Sequence, residues 1–114
     1  RAEAKQYHVN PEQVGAVGGS AGGHLVGLMA AAPDEKQLQG DAGHPDQTSR
    51  LQAAIVMAGP MEMASGTVAE RSRKSGDKSY SNQWLGKSID EAPELYKLSD
   101  AYLHLTRKHR LSCL

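Results

Sequence analysis

The chain has little of several features that mark other classes of protein. Its one cysteine, Cys113, excludes an internal disulfide, although a lone thiol does not fix the compartment. The 13 Lys and Arg residues balance 13 Asp and Glu, and neither a basic patch nor a block of like charge points to nucleic acid or a disordered tail. Apolar runs fall well short of the roughly 18 residues that span a membrane. Internal repeats and low-complexity tracts are also missing.

Length and motif spacing exclude further classes of protein and kinds of site. At 114 residues the chain corresponds to one domain or to part of one. No series of positive, apolar and cleavage-site segments opens the chain, so we expect a signal peptide to be absent or already removed. His44 lies between Asp41 and Asp46, but their spacing matches no strong zinc or calcium pattern, and we expect no metal and no cofactor. Oligomeric state and compartment stay open.

What the chain does contain is a glycine-flanked serine near its N-terminus. Ser20 has Gly18 two residues before it and Gly22 two residues after it, which is the spacing of a nucleophile elbow. In that motif a strained strand-to-helix turn lifts the serine hydroxyl above a sheet. We expect a Cβ at either flanking glycine to crowd the neighbouring backbone, and Gly19 and Gly23 to leave more room for close strand–helix packing.

The residues around the serine predict a strand, a turn and a helix in the order that an elbow requires. Residues 13–17 form a short apolar run, typical of a parallel strand that is buried on both faces. An apolar stripe at helical spacing follows the turn and predicts a helix packed on the sheet. The stripe comprises Leu25, Leu28, Met29 and Ala32, and Pro33-Asp34 follows it as a stop signal.

A second strand is predicted over residues 51–58, which are apolar apart from Gln52 and are closed by Gly59-Pro60. A helix between two parallel strands fits a right-handed βαβ unit. The polar residues 34–50 between them predict a surface loop with at most a short helical turn. Residues 1–7, with weak periodicity, predict the end of a helix.

The remainder of the chain is less periodic. Residues 61–82 are polar and predict a loop or a lid-like insertion of the kind that often follows a strand. Ser88 and Glu91 have the spacing of a capping box, which leads into a short helix over residues 92–98. Residues 103–106 predict an extended approach to a third strand that begins at residues 111–114.

Four stretches of this sequence resemble one branch of the α/β-hydrolases. It is the bacterial esterase/lipase branch described as acetyl xylan or bifunctional feruloyl esterase-like, near the hormone-sensitive-lipase-type enzymes. The resemblance implies a partial α/β-hydrolase fold, α/β in class, with three α/β/α layers, parallel strands and a nucleophile elbow in a single partial domain over residues 1–114. The stretches are residues 10–14 leading into 18–25, residues 38–45, residues 49–54 ending at 59–60, and residues 84–86 with 92–96.

The resemblance also implies a chemistry. Ser20 would be the nucleophile of a serine carboxylesterase that works through an acyl-enzyme, and the backbone N–H of Ala21 would donate one oxyanion hydrogen bond. Short-chain acyl or acetyl esters of small molecules or polysaccharides would be the substrates, with no nucleic acid and no membrane span. The triad aspartate and histidine would follow strands that this chain does not contain, and the first oxyanion segment would precede Arg1. We therefore expect a fragment of a larger enzyme. The parent protein could be secreted or periplasmic, and its compartment stays open.

The sequence departs from the family pattern at two places. Met61-Glu62 stand after the Gly-Pro where the family usually has a small polar residue and an aspartate, and Arg110-Leu111 stand in place of a pair of prolines. Glu62 follows a strand and could serve as an unusual triad acid, but a solvated loop carboxylate is the simpler interpretation. For His24, within the predicted helix, packing is the simpler interpretation than a catalytic base.

Other interpretations stay open at this point. Met57, Met61 and Met63 could line an acyl pocket or simply pack in a core, and Tyr80 with Trp84 could form a sugar- or aryl-binding wall or anchor a loop. A phosphate- or nucleotide-binding βαβ unit is an alternative function, although the glycines lack G-x-G-x-x-G spacing and no Lys-Ser/Thr ending follows. The third alternative is a catalytically incomplete fragment, with apolar strand edges left uncovered.

Overall fold

The computed structural model describes residues 1–41 and 43–105. The chain divides into two compact units, Arg1–Gly59 and Pro60–Leu114. Among the described residues no helix is long and apolar enough to cross a membrane. Within the same residues no three His, Cys, Asp or Glu side chains are grouped to hold a metal ion. The third strand predicted to begin at residues 111–114, together with His109 and Cys113, lies outside the described residues.

The first unit is built on two parallel strands joined through helices. Strand β1 (Gly15–Gly19) pairs in parallel with strand β2 (Ala53–Met57). The first residues of the two strands face each other, as do the last, Gly19 and Met57. This arrangement confirms the predicted α/β class and the strand–turn–helix order, with β1 beginning two residues later than the apolar run at residue 13. Residues 1–7 form turns rather than the expected helix end. The elements are β1 (Gly15–Gly19), α1 (Ala21–Ala31), α2 (Lys36–Gln39) and β2 (Ala53–Met57).

Gln52, the one polar residue in the second apolar run, fixes the start of the strand pair. Its backbone N–H donates to the Val14 carbonyl at 2.9 Å, and its side-chain Oε1 accepts from the Val14 N–H at 2.9 Å. The Arg1 guanidinium donates to the same Oε1 at 3.3 Å. These bonds extend the ladder by one row beyond β1 and β2, so that the register is held before the apolar residues begin to pair.

Helix α1 buries a stripe that is shifted by one residue from the predicted one. Leu28 and Ala32 are buried as expected, whereas Leu25 and Met29 are half-exposed. The buried residues of α1 are Gly23, His24, Val26, Gly27, Leu28 and Ala31. The shift has a steric cause, because a Cβ on Gly23 would lie 3.0 Å from the Met57 carbonyl oxygen, so the glycine side of the first helical turn is the side that contacts β2.

The strands themselves are not buried on both faces, which corrects the prediction for residues 13–17. Val17 is 63% exposed and Ile55 is 59% exposed, although both are β-branched residues of a parallel pair. Parallel sheets normally have helices on both faces, and within the first unit α1 is the helix that packs on both strands. The predicted three-layer arrangement therefore stays a prediction, as does the expectation of uncovered apolar strand edges. The exposed side chains of Val17 and Ile55 belong to a face of the strand pair.

The regular elements in the described part of the second unit are all helices, separated by turns. The expected loop over residues 61–82 is wrong for most of that segment, since α3 (Gly66–Ser75) and a 3₁₀ turn (Gly76–Lys78) lie within it and α4 (Tyr80–Leu85) begins there. A lid-like role for the segment stays a prediction. The helix predicted over residues 92–98 is confirmed within one residue. Residues 101–105 are helical rather than an extended approach to a strand. The elements are α3 (Gly66–Ser75), the 3₁₀ turn (Gly76–Lys78), α4 (Tyr80–Leu85) and α5 (Pro93–Leu98).

A polar network lies in the middle of this second unit. The Tyr96 hydroxyl donates to Asn82 Oδ1 at 2.6 Å, and the Ser72 hydroxyl donates to the same oxygen at 2.6 Å. The Ser72 hydroxyl also accepts from the backbone N–H of Ile89 at 2.9 Å. Since the three side chains belong to α3, α4 and α5, the network ties the helices together beside the apolar core of Met63, Ala69, Ile89 and Tyr96. Every buried side-chain N or O atom described has a partner.

The capping box before α5 makes a pH-dependent contribution. The Ser88 hydroxyl and backbone N–H both donate to Glu91 Oε2, at 2.7 and 2.8 Å, and these bonds, the side-chain bond first, lower the pKa of Glu91. A lowered folded-state pKa stabilises the turn above the ordinary glutamate value of about 4.3, and that stabilisation is lost as the pH falls through the lowered pKa. An NMR titration of the Glu91 carboxyl should show the low pKa, and Ser88→Ala should return it toward the ordinary value. An unchanged titration in Ser88→Ala would contradict this account.

Candidate functional site

Ser20 occupies a strained corner between β1 and α1. It is the N-cap residue of α1, with φ 52° and ψ −118°, and this left-handed φ is uncommon for a residue with a side chain. An N-cap serine ordinarily has an extended backbone and accepts a hydrogen bond from the first turn of its helix. The Ser20 side chain makes no capping hydrogen bond and the residue is exposed. Its hydroxyl thus does not cap α1.

The backbone of Ser20 is held on both sides. Its N–H donates to the carbonyl of Met57 in β2 at 2.8 Å, and its carbonyl accepts from the N–H of His24 in α1 at 3.0 Å. The peptide groups are therefore fixed by the neighbouring strand and by the helix that follows. Strained backbone of this kind persists where the surroundings determine it, and it concentrates at active sites.

The two flanking glycines have different roles. A Cβ on Gly18 would overlap the carbonyl carbon and oxygen of Gly22 and lie 2.9 Å from the Gly23 nitrogen, which confirms the predicted crowding. A Cβ on Gly22 would meet nothing within 4 Å, so the prediction for Gly22 is wrong. The close approach instead falls on Gly23, whose Cβ would lie 3.0 Å from the oxygens of Gly18 and Met57. Gly22 contributes the backbone that lies against Gly18, and its own Cα faces open space.

Ala21 is the first residue of α1. The N–H groups of a helix's first turn have no partner within the helix, and they carry the positive end of the helix dipole. An oxygen that gains negative charge beside Ser20 would therefore be stabilised at this end of α1. The predicted oxyanion role of the Ala21 N–H is compatible with this position and stays a prediction.

The structure also places the other residues considered from sequence. His24 lies on the buried face of α1, which fits the packing interpretation. Glu62 belongs to the second unit, where its exposed carboxylate accepts from the Ser65 hydroxyl at 2.8 Å. His104, also in the second unit, has its Nε2 2.9 Å from the carbonyl oxygen of Leu98. Of the site residues predicted from sequence that the structure describes, Gly18, Ser20, Ala21 and Gly22 lie together at one turn.

The methionines and aromatic residues divide between packing and exposure. Met63 is part of the core of the second unit, which fits packing rather than an acyl pocket. The side chain of Met57 is half-exposed at the end of β2, with its Cε 3.9 Å from the point where a Cβ on Gly19 would stand. Tyr80 and Trp84 are exposed on α4, four residues apart and thus on one side of that helix.

Two residues that sequence reasoning missed are important in the structure. Asp100 is buried, and its carboxylate accepts from the backbone N–H groups of Met63, Ala64 and Leu103. A signal existed, since an aspartate ahead of an apolar helical segment is typical of an N-cap. In the sequence Gly59 indicates only the end of a strand. In the structure a Cβ at this position would lie 2.5 Å from the Gly23 carbonyl carbon and from the His24 nitrogen.

Two comparisons show similarity to ester hydrolases. The family model described as BD-FAE matches residues 1–111. "Probable carboxylic ester hydrolase LipM" of Mycobacterium tuberculosis (strain ATCC 25618 / H37Rv) is 36% identical over 59 residues, which are 52% of this chain and 13% of that protein. The chain thus matches only about an eighth of that relative's length. No solved structure matches the chain.

Proposed function

Because the chain belongs to the BD-FAE family, a family of the α/β-hydrolase class, we propose that it carries the nucleophile segment of a serine-dependent carboxylic-ester hydrolase. Ser20 is the nucleophile in this proposal. The observation that supports it most strongly is the backbone of Ser20, an exposed N-cap serine with a left-handed φ and a side chain that does not cap its helix. The similarity to a protein named as a carboxylic ester hydrolase supports the reaction class.

In the proposed reaction the Ser20 hydroxyl oxygen attacks the carbonyl carbon of an ester. The hydroxyl proton passes to a histidine base, which then protonates the departing alcohol as the tetrahedral intermediate collapses to an acyl-enzyme. Water, activated by the same base, releases the carboxylic acid and regenerates the serine. His24 is buried on α1 and does not fit the role of this base. In line with the family resemblance, we assign the base and the acid to other parts of a longer parent protein.

Charge on the carbonyl oxygen is proposed to be stabilised at the start of α1. The Ala21 N–H follows the nucleophile directly, which is the position that supplies one oxyanion donor in this fold class. Removing one such donor costs about 10²- to 10³-fold in turnover in a well-studied hydrolase. The geometry therefore supports an oxyanion site in which α1 supplies one of two donors, the Ala21 N–H. The second donor is proposed to come from another part of the parent protein.

The proposed substrate is a short-chain acyl ester, with an acetyl group on a small alcohol or a polysaccharide as the specific case. This choice follows from the family resemblance. With the base and the second oxyanion donor proposed to lie elsewhere, the chain alone is expected to turn over esters very slowly. Ser20-dependent turnover at the rate of an intact esterase would contradict that expectation.

Fluorophosphonate labelling of the purified 114-residue chain tests the nucleophile directly. Because the base is proposed to lie elsewhere, we expect the adduct to form slowly. It should be a single adduct that peptide mass spectrometry locates at Ser20, since the strained turn presents its hydroxyl and the start of α1 stabilises the oxyanion without that base. Ser20→Ala should lose the adduct completely. Ser65→Ala is the matched control, since Ser65 is also an N-cap serine without a capping bond, but with an extended backbone at φ −142°; it should keep the adduct. An adduct that survives Ser20→Ala, or none at all, would contradict the proposal for this chain.

A further inference from the structure

The residue that follows β2 has nearly the same positive φ as the residue that follows β1. Gly19 and Met57 end the two strands and face each other in the parallel register. The residues that directly follow the two strands are Ser20, with φ 52°, and Ala58, with φ 51°. Both have a left-handed φ although neither is a glycine. Two strained residues thus lie side by side at the same edge of the sheet, one of them the proposed nucleophile.

The corner after β2 contacts the elbow through backbone atoms. The Met57 carbonyl accepts the N–H of Ser20 at 2.8 Å. Two residues later the backbone of Gly59 lies against the first turn of α1, where an added Cβ would be 2.5 Å from the His24 nitrogen and 2.9 Å from the Gly23 Cα. The His24 N–H in turn donates to the Ser20 carbonyl. Met57 therefore binds the Ser20 N–H directly, and Gly59 packs against the residue whose N–H binds the Ser20 carbonyl.

We propose that Gly59 is a positioning residue for the nucleophile, and that the strained Ala58 is the bend that brings Gly59 against α1. This inference rests on the proposed role of Ser20. A left-handed alanine persists only where its surroundings determine it, and here the hydrogen bond at Met57 and the tight packing at Gly59 act on either side of it. The contacting atoms around Gly59 are backbone, which cannot rotate away from a larger side chain. Any side chain at position 59 must therefore displace the turn that carries Ser20.

Gly59→Ala in the 114-residue chain tests this positioning with two readouts. Hydrogen exchange of the Ser20 amide should accelerate at least tenfold relative to the amides of β2, because its bond to Met57 is disturbed. Fluorophosphonate labelling should lose at least tenfold in its maximal rate, while the concentration for half-maximal rate stays within twofold. Gly15→Ala is the matched control, since a Cβ there meets Ala53 at an ordinary 3.5 Å, and it should change both readouts by less than twofold.

A milder substitution keeps the test decisive where Gly59→Ala does not fold. A Cβ on Gly23 would lie 3.0 Å from the Met57 oxygen and 3.1 Å from the Gly59 Cα, so Gly23→Ala presses on the same corner less severely and should change both readouts about threefold. Equal acceleration at Ser20 and throughout β2, or no change in a folded variant, would overturn the positioning role. Should the unmodified chain take no adduct, the nucleophile proposal fails for this chain, and Ser20 exchange alone decides the positioning.

Discussion

Replacing Gly18 with alanine is expected to destroy the turn at Ser20 and to unfold the first unit. The new methyl group would overlap the carbonyl group of Gly22 and approach the Gly23 nitrogen at 2.9 Å. Overpacking costs about 1–3 kcal/mol where neighbouring side chains can move, and here the neighbours are backbone of a helix. We therefore expect a loss of at least about 3 kcal/mol, which approaches the whole stability of a unit of this size.

Urea unfolding followed by circular dichroism measures this loss, and Gly22→Ala is its matched control. Gly22 follows Ser20 by two residues in the sequence, as Gly18 precedes it by two, but a Cβ on Gly22 would meet nothing within 4 Å. Within a helix alanine is favoured over glycine by up to about 1 kcal/mol, so Gly22→Ala should leave the free energy of unfolding equal or slightly higher. Equal destabilisation by the two substitutions would contradict the asymmetry seen in the structure.

That asymmetry marks the boundary of what the sequence alone can predict at the site. The spacing of Gly18, Ser20 and Gly22 predicts the turn because its geometry is local to five residues. Which glycine is crowded depends on how α1 lies against β1 and β2, and so on contacts that no short motif contains. The crowding at Gly59 is of the same kind, since position 59 is remote from the elbow in sequence and meets it through the strand pairing.

The second unit shows the same limit on a larger scale. Helix α3 was missed because it buries only Ala69 and Ser72, a stripe too narrow to produce a recognisable apolar period. It is held instead by hydrogen bonds of Ser72 to residues 10 and 24 positions later, Asn82 and Tyr96. Local signals succeeded where a cap existed, as for Ser88 and Glu91 ahead of α5. Helix α3 depends on tertiary hydrogen bonds, which single-residue propensities cannot predict.

Asp100 offers the strongest test of that tertiary bonding. Its Oδ2 accepts from the backbone N–H groups of Met63 and Ala64, each at 2.8 Å, and its Oδ1 accepts from Leu103 at 2.9 Å. The carboxylate thus joins the segment before α3 to the helical residues 101–105. Ala64, which donates to it, lies 36 positions before Asp100 in the sequence. Asp100 is only 1% exposed, so water cannot replace these bonds.

Asp100→Asn is accordingly expected to destabilise the second unit by about 2–4 kcal/mol, although the side chain keeps its size. Either orientation of the amide turns its NH₂ group toward at least one backbone N–H, which leaves a donor facing a donor in a buried position. Asp90→Asn is the matched control, because Asp90 is exposed and forms one ion pair with Arg73 at 3.0 Å, and it should cost less than about 1 kcal/mol. Thermal unfolding of both variants measures the difference. A loss at Asp100 no larger than that at Asp90 would mean that the three hydrogen bonds do not hold the unit together, and that its helices are organised by the apolar core alone.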